Sequence, residues 1–570
     1  MPPPSLSSAN LATYFCLLVL VLTGWLFPKL ADGPLRALEE SLARFADRRS
    51  FAILILILAV PFARIALLRV MPIPVPAVHD EFSYLLAADT FAHGRLTNPP
   101  HPMWKFLETI HVNQTPTYMS KYPPAQGAVL AVGQLLGHPW IGVVLTMALM
   151  CGSTLWMLQG WMPARWALLG AILVFFRLAI FSYWMNTYWG GAIPAIGGAL
   201  VLGALPRLVR LPQRCDAILL GLGVAILANS RPLEGLVLCL PVAAYLLVWM
   251  FYRRHPAWNI LLTRICVPIL LVLVPTGIFM GYYNWRITGN PLLLPYVVND
   301  RTYLSTPPFV WQKLAVPIPQ HNPQMESFYN KWARTFWLRS RFAVHNRVGK
   351  FVYFFLWPEL CIPLIALPWL WRDRGIRFLL LQFGLSFTGL LAVVWFEPHY
   401  AAPLLATLTA IVVQAMRHVR QWRTGQRAYG LGITRAILVF AVAMNVVYVA
   451  RAARNPRARS LVAPAGAWGA VGNSARARIE ADLESRPGRQ LAIVRYSPAS
   501  SGEWVYNKAD IDHARVVWAR EIPGVNLQPL LNYFKDRSVW LVEPTMDDAQ
   551  ITPYPSKSSE NEGAARDAQP

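Results

Sequence analysis

The sequence predicts an all-α polytopic membrane protein of about twelve transmembrane helices, followed by a small C-terminal α/β domain on the extracytoplasmic side. Three observations predict it. Of 570 residues, 55% are hydrophobic and only 14% charged, where a soluble domain carries about 25% charge. Apolar runs of roughly 20 residues, the length that crosses a bilayer, recur up to about residue 450. Beyond residue 489 they give way to short strand-like runs. This composition excludes an ordinary soluble enzyme and a disordered chain.

The apolar segments fall near 11–28, 51–70, 139–160, 164–183, 188–206, 215–230, 233–252, 262–283, 350–371, 376–396, 400–416 and 432–450. The first has the length of a signal-peptide core. No Lys or Arg precedes it and no small-residue cleavage site stands out, so it reads as a span. The net charge of +23, from 52 Lys+Arg against 29 Asp+Glu, would also suit a nucleic-acid binder, and its distribution decides. Arg44, Arg48, Arg49, Arg165, Arg207, Arg210, Arg214, Arg253, Arg254, Arg372, Arg374, Arg377, Arg417, Arg420, Arg423 and Arg427 collect in alternate loops. The short loops 185–188 and 397–399 hold no Lys or Arg, and 229–232 holds Arg231 alone. Basic loops stay in the cytoplasm. The charge is therefore a topology signal, membrane lipids are the surroundings, and no nucleic-acid partner is expected.

The expected organisation is an N-terminal span and cytoplasmic linker over 1–50, then a transmembrane region over 51–451 with outer loops 71–138 and 284–349. A linker over 452–488, with room for one helix, leads to the α/β domain over 489–545 and a disordered tail over 546–570. Within the domain, 491–495, 514–518 and 538–542 read as strands and 527–534 as a helix. Six cysteines lie in or near spans or on the cytoplasmic side, which implies no disulfide framework. Neither a G-x-x-x-x-G-K-[ST] loop nor a G-x-G-x-x-G after a soluble strand occurs, so no ATP or nucleotide-sugar site is visible.

The densest chemistry follows the second span: His79-Asp80-Glu81-Phe82-Ser83-Tyr84. Helical periodicity puts Phe82, Leu85, Leu86 and Asp89 on one side, the pattern of an amphipathic helix lying on the membrane. Asp80 suits an N-cap for that helix, with Glu81 favoured by its dipole, and capping is compatible with chemistry. Lys121-Tyr122-Pro123-Pro124 then enters a helix too short to span. Lys121 would stand at the interface, to meet a lipid phosphate or to snorkel. Nine of the eleven histidines fall on the outer side, five of them within 79–138. Their spacing fits no compact metal motif, so no metal ligand is assigned; a divalent metal stays open as a cofactor and none other is expected. Asn113-Gln114-Thr115 is a formal glycosylation sequon. The loop 284–349 is rich in aromatic residues and prolines and is expected to cover part of an acceptor site.

An Asp-Glu pair after an early span, a Pro-Pro re-entry about forty residues on, and many further spans together resemble the GT-C membrane glycosyltransferases. The nearest branch is that of protein O-mannosyltransferases and lipid-A aminoarabinose transferases. Leu227-Ala-Asn-Ser-Arg-Pro-Leu-Glu-Gly235 resembles the family's Leu-Thr-Lys-Gly-Pro stretch, with Arg231 in place of lysine. Phe396-Glu-Pro-His-Tyr-Ala-Ala-Pro403 resembles its Arg-Tyr-x-x-Pro, with His399 in place of arginine. Ser83 stands where the family often has a basic residue, and Tyr122 where the aminoarabinose branch has lysine.

The resemblance, which spans roughly 50–450, implies transfer of a sugar from a polyprenyl-phosphate carrier to a hydroxyl of a glycan, lipid or protein acceptor. The transfer would invert the anomeric centre, on the extracytoplasmic face of a bacterial-type inner membrane. On this reading Asp80 is the general base and Glu81 orients the acceptor or raises Asp80's basicity. Lys121, Arg231, His399 and Tyr400 hold the leaving phosphate. Arg231 also has an argument of its own, as a lone charge at the membrane edge of a short outer turn. A lipid or oligosaccharide transporter and a catalytically inactive scaffold are the alternatives.

Overall fold

The computed structural model describes residues 8–253, 256–454, 472–497, 502–545 and 548–555. Most of the chain is helical. Seven described helices are long and apolar enough to cross a membrane: Arg49–Ala66, Pro139–Trp161, Ala192–Arg210, Pro232–Tyr252, Trp258–Thr288, Pro398–Arg420 and Tyr429–Arg454. The other expected segments are helical too, but by the same measure too short or too polar; Arg214–Ser230, for instance, has 17 residues.

The segment expected as one span over 350–371 is two helices, Val344–Phe355 and Glu359–Leu370, bent by 106°. Pro358 sits at the break, where it can neither donate a helical hydrogen bond nor clear the preceding turn. The carbonyls this releases need partners inside the bundle. Arg177 supplies them, donating to Tyr353 O at 2.8 Å and Phe354 O at 3.0 Å, and it pairs with Glu359 at 3.1 Å. This intramembrane arginine therefore has a structural task.

Arginine-rich loops gather at one end of the bundle. Gln159 donates to the carbonyl of Arg49, Arg417 lies over Trp166, and Arg420 pairs with Glu39 at 2.7 Å. Small residues set the packing that fixes the opposite end. A Cβ on Gly198 would lie 2.1 Å from the carbonyl oxygen of Pro403, and one on Gly223 would lie 2.8 Å from that of Gly197. Close backbone approach thus joins Ala192–Arg210 both to the segment carrying Tyr400 and to the helix ending before Arg231.

The C-terminal domain is a four-stranded sheet in the order Val516–Arg520, Arg489–Val494, Arg537–Pro544, Ala549–Pro553. The first three strands are parallel and the last antiparallel. The strand Ala549–Pro553 lies in the stretch expected to be disordered, and the helix Ser474–Ser485 in the stretch expected to be linker; 455–471 and 556–570 lie outside the described residues. Both faces of the central strand are buried, which is why it reads as a continuous apolar run. Ala492 and Val494 pack with Ile479 and Leu483 of the helix. Leu491 and Ile493 pack with Leu86, Phe106, Val112 and Tyr118 of the first long loop.

That second face overturns one expectation. The helix His79–Ala92 does not lie on a membrane surface. Phe82 stacks on Tyr506 of the C-terminal domain at 3.8 Å, and Leu86 joins the sheet's core. On its other side Ala87 meets Gly127 of the short helix Pro124–Leu135. The apolar stripe is real, but protein covers it.

Candidate active site

The helix bearing the Asp-Glu pair starts at His79, with Val78 as its cap residue. Asp80 is therefore not the N-cap. Glu81 stands at the third helical position, and one oxygen reaches back to the backbone N–H groups of Ala77 at 2.7 Å and Val78 at 3.0 Å. This is the carboxylate half of a capping box. Its other oxygen accepts from the Tyr188 N–H at 3.1 Å. Glu81 is 0% exposed, and burial pushes its carboxyl up to about 7 against the pull of those three N–H groups. With its acceptor sites occupied, Glu81 anchors the helix, and Asp80 is left to face open space.

That space is a cavity of about 1540 Å³. Asp80 lines it and accepts a hydrogen bond from the Tyr122 hydroxyl, whose ring stacks on Tyr84 at 4.5 Å. Burial and the Asp80 carboxylate together hold the Tyr122 phenol well above its usual range.

Lys121, Arg231 and Tyr400 line the same cavity. Lys121 is 4% exposed. Its ammonium lies 4.7 Å from the Tyr296 ring centre and 3.9 Å from Asp300. Burial draws its pKa down while Asp300 and Asp80 hold it up. Arg231 is the C-cap residue of Arg214–Ser230 and precedes Pro232, which opens the next helix. Its guanidinium stacks over Tyr400 at 4.2 Å and lies 4.0 Å from Glu234.

His399 does not join them. It is 2% exposed, and Tyr183 engages both its Nδ1, at 2.8 Å, and its backbone N–H. The ring packs on Trp189 at 4.6 Å and against Tyr400 at 4.9 Å, so it buttresses Tyr400 from behind. A one-residue step along the 3₁₀ helix Pro398–Leu404 exchanges the residue that faces the cavity for the one that faces the core.

The loop 284–349 contributes Tyr296, Phe328, Tyr329 and Trp332 to the cavity wall, among others. The C-terminal domain contributes Arg495, Tyr496, Glu503 and Glu521. Sequence reasoning missed that second wall, and also Glu397, which lines the cavity and pairs with Lys350. Tyr122 and Glu397 stood inside the quoted motifs, and their neighbours in sequence drew the assignments. Among the described residues no group of three or more His, Cys, Asp or Glu side chains is placed to hold a metal ion. Asn113 of the sequon is buried between Pro295 O and Asn299, each at 3.1 Å, and offers no acceptor for glycosylation.

No protein-family model matches the chain, and no curated protein matches it. Solved structures do. The chain is similar to ArnT from Cupriavidus metallidurans bound to undecaprenyl phosphate, at 15% identity and TM-score 0.47, over 90% of this chain and 94% of that one. It is also similar to the archaeal oligosaccharyltransferase AglB from Archaeoglobus fulgidus in complex with an inhibitory peptide and a dolichol-phosphate. There the identity is 9% and the TM-score 0.39, over 86% of this chain and 69% of that one.

Proposed function

We propose that this protein is an integral-membrane glycosyltransferase. It moves a sugar from a polyprenyl-phosphate carrier to an acceptor hydroxyl, with inversion, on the extracytoplasmic face of the inner membrane. In this reading the chain crosses the bilayer twelve times, and the arginine-rich end is cytoplasmic. The observation that carries it is the convergence of Asp80, Lys121 and Arg231, from three separate segments, on one cavity. The cavity's size supports two substrates, since about 300–1,000 Å³ holds a single small ligand.

Asp80 takes the proton of the acceptor hydroxyl as its oxygen attacks the anomeric carbon. The bond from that carbon to the phosphate oxygen breaks, and its electron pair leaves with the polyprenyl phosphate. Lys121 and Arg231 meet the charge that grows on this leaving group. Tyr400 fixes the Arg231 guanidinium. Tyr122 holds the Asp80 carboxylate in place. A phosphate leaves without an acid's help, so one base suffices, unlike the two carboxylates of a hydrolase.

The test uses purified protein in lipid nanodiscs with radiolabelled polyprenyl-phosphate sugars. Asp80→Asn is expected to bind undecaprenyl phosphate as the unaltered protein does and to lose transfer. Transfer at the unaltered rate would overturn the base assignment. Vesicle flux of lipid-linked sugar without any transfer would favour a carrier instead.

A further inference from the structure

Two histidines in the cavity remain outside this mechanism. His111 has φ 64 and is, with Ala31, one of two non-glycine residues in the left-handed region among the described residues. That backbone is disfavoured for a side chain and persists where surroundings over-determine it, which happens at binding sites. Here three contacts do so. The His111 N–H donates to the Tyr329 hydroxyl at 3.3 Å, and its carbonyl accepts from Ser83 Oγ at 2.7 Å and from the Lys121 N–H at 3.3 Å. The result carries the ring to the cavity wall. Its Nδ1 is buried and meets no hydrogen-bond partner among the described residues. A buried polar atom left open in this way calls for a partner from outside the chain.

His79, the neighbour of Asp80 in sequence, lines the same wall. Its ring centre lies 6.2 Å from that of His111. It uses Nδ1 on the Tyr506 hydroxyl of the C-terminal domain, at 2.5 Å. Tyr506 is itself fixed by its stack on Phe82 and by Arg476, which donates to its carbonyl at 3.0 Å. Phe328 stands edge-on to both imidazoles, at 5.1 and 5.4 Å, and stacks on Trp332 at 5.0 Å. Imidazole nitrogens beside an aromatic shelf suit a sugar, which presents hydroxyls at its rim and C–H groups on its faces.

Charge separates this wall from the phosphate side. Burial lowers the pKa of both histidines, and Lys121 lowers that of His111 further, so the rings are neutral. Neutral rings cannot balance a phosphate. The C-terminal domain adds Glu503 and Glu521 to the cavity lining already paired, with Arg520 at 3.0 Å and with Arg495 at 2.5 Å, so among the described residues it offers a phosphate no free cation there.

We propose that His79 and His111 form the acceptor subsite, which binds the hydroxyls of a neutral sugar residue beside Asp80. This rests on the transferase reading and names the substrate class of the same site.

The test is carbethoxylation of the full-length protein by diethyl pyrocarbonate, read residue by residue by mass spectrometry. Millimolar methyl glycosides are expected to slow modification of His79 and His111 about tenfold, and undecaprenyl phosphate to change it by less than about twofold. Protection by undecaprenyl phosphate but not by glycosides would place the pair on the donor side and overturn the proposal. So would rings that the reagent cannot reach in the free protein.

His111→Gly supplies the second arm, because glycine accepts the φ of this position. It is expected to keep its Kd for undecaprenyl phosphate and to raise KM for a methyl glycoside acceptor about tenfold, with little change in kcat. An unchanged KM would overturn the proposal. If the unaltered protein transfers no sugar at all while glycosides still protect both histidines, the transferase reading fails and the sugar subsite stands.

Discussion

Two polar clusters touch the C-terminal domain, and they differ in how their carboxylates are used. Around Glu108 the arrangement is closed. One oxygen accepts from the Tyr303 hydroxyl at 2.9 Å and from His321 at 3.1 Å, and the other from the Asn322 amide at 2.9 Å. Its carbonyl accepts from Arg520, which pairs with Glu503 at 3.0 Å. The hub thus ties the first loop, the second loop and the C-terminal sheet together. Around Asp80 the arrangement is open. Among the described residues only Tyr122 donates to it, and beyond it lies the cavity with the unpartnered nitrogen of His111. A buried polar group normally finds its partners within the fold. In the closed cluster both carboxylate oxygens of Glu108 have partners within the fold, and the cluster holds structure; the open one leaves its carboxylate and imidazole to the cavity, where a substrate would complete them.

The contrast can be broken from either side. Asp80→Asn is expected to lower sugar transfer about 10²–10⁴-fold while leaving thermal unfolding unchanged. Removal of Arg520 should do the reverse of this. Arg520 is 0% exposed and Glu503 3%, so Arg520→Ala strands a buried carboxylate and is expected to cost about 3–5 kcal/mol in denaturant unfolding. If Arg520→Ala unfolds like the unaltered protein, the hub is not what joins the domains.

Smaller effects sharpen the division of labour within the cavity. Arg231→Ala should weaken undecaprenyl phosphate binding about 10–100-fold, as loss of one charged hydrogen-bond donor does. His399→Gln should leave that affinity within about threefold, since the ring does not reach the cavity lining.

Glu81 gives a pH signature. Its carboxyl titrates at about 7 in the fold, against the ordinary glutamate value of 4.5 that an unfolded chain would show. The folded protein therefore holds a proton that the unfolded chain has released. The stabilisation is complete below pH 4.5 and is lost as pH rises through about 7. Thermal unfolding followed across this range should show the decline, and Glu81→Gln should flatten it. Tyr122→Phe is the mildest change. It removes one hydrogen bond to the Asp80 carboxylate and should lower transfer by about tenfold.

Much of the fold was legible in the chain. The apolar runs fixed where helices form, because burying roughly 20 apolar residues leaves few other outcomes in a membrane. The strands at 491–495 and 538–542 were legible from their β-branched runs. The bend at Pro358 was less so, since a proline in an apolar segment can also be accommodated within a helix. Of the six residues singled out for chemistry, Asp80, Lys121, Arg231 and Tyr400 line the cavity, and Glu81 and His399 do not. Both exceptions are neighbours of a residue that does. Spacing locates a polar cluster to within a turn, but the start of a helix and the phase of a 3₁₀ turn decide which side chain points inward.

By itself, the sequence settled that this is a multi-pass membrane protein and which stretches carry its densest polar clusters, because transfer free energy and charge distribution are summed along the chain. The tertiary structure alone decided that the C-terminal sheet closes over His79–Ala92, turning an apparent membrane-surface stripe into a protein interface. It also decided that Tyr188, 107 residues away, completes the shell of Glu81, leaving Asp80 as the free carboxylate. Such pairings join groups distant in sequence, and no local period records which distant surface will cover a given face.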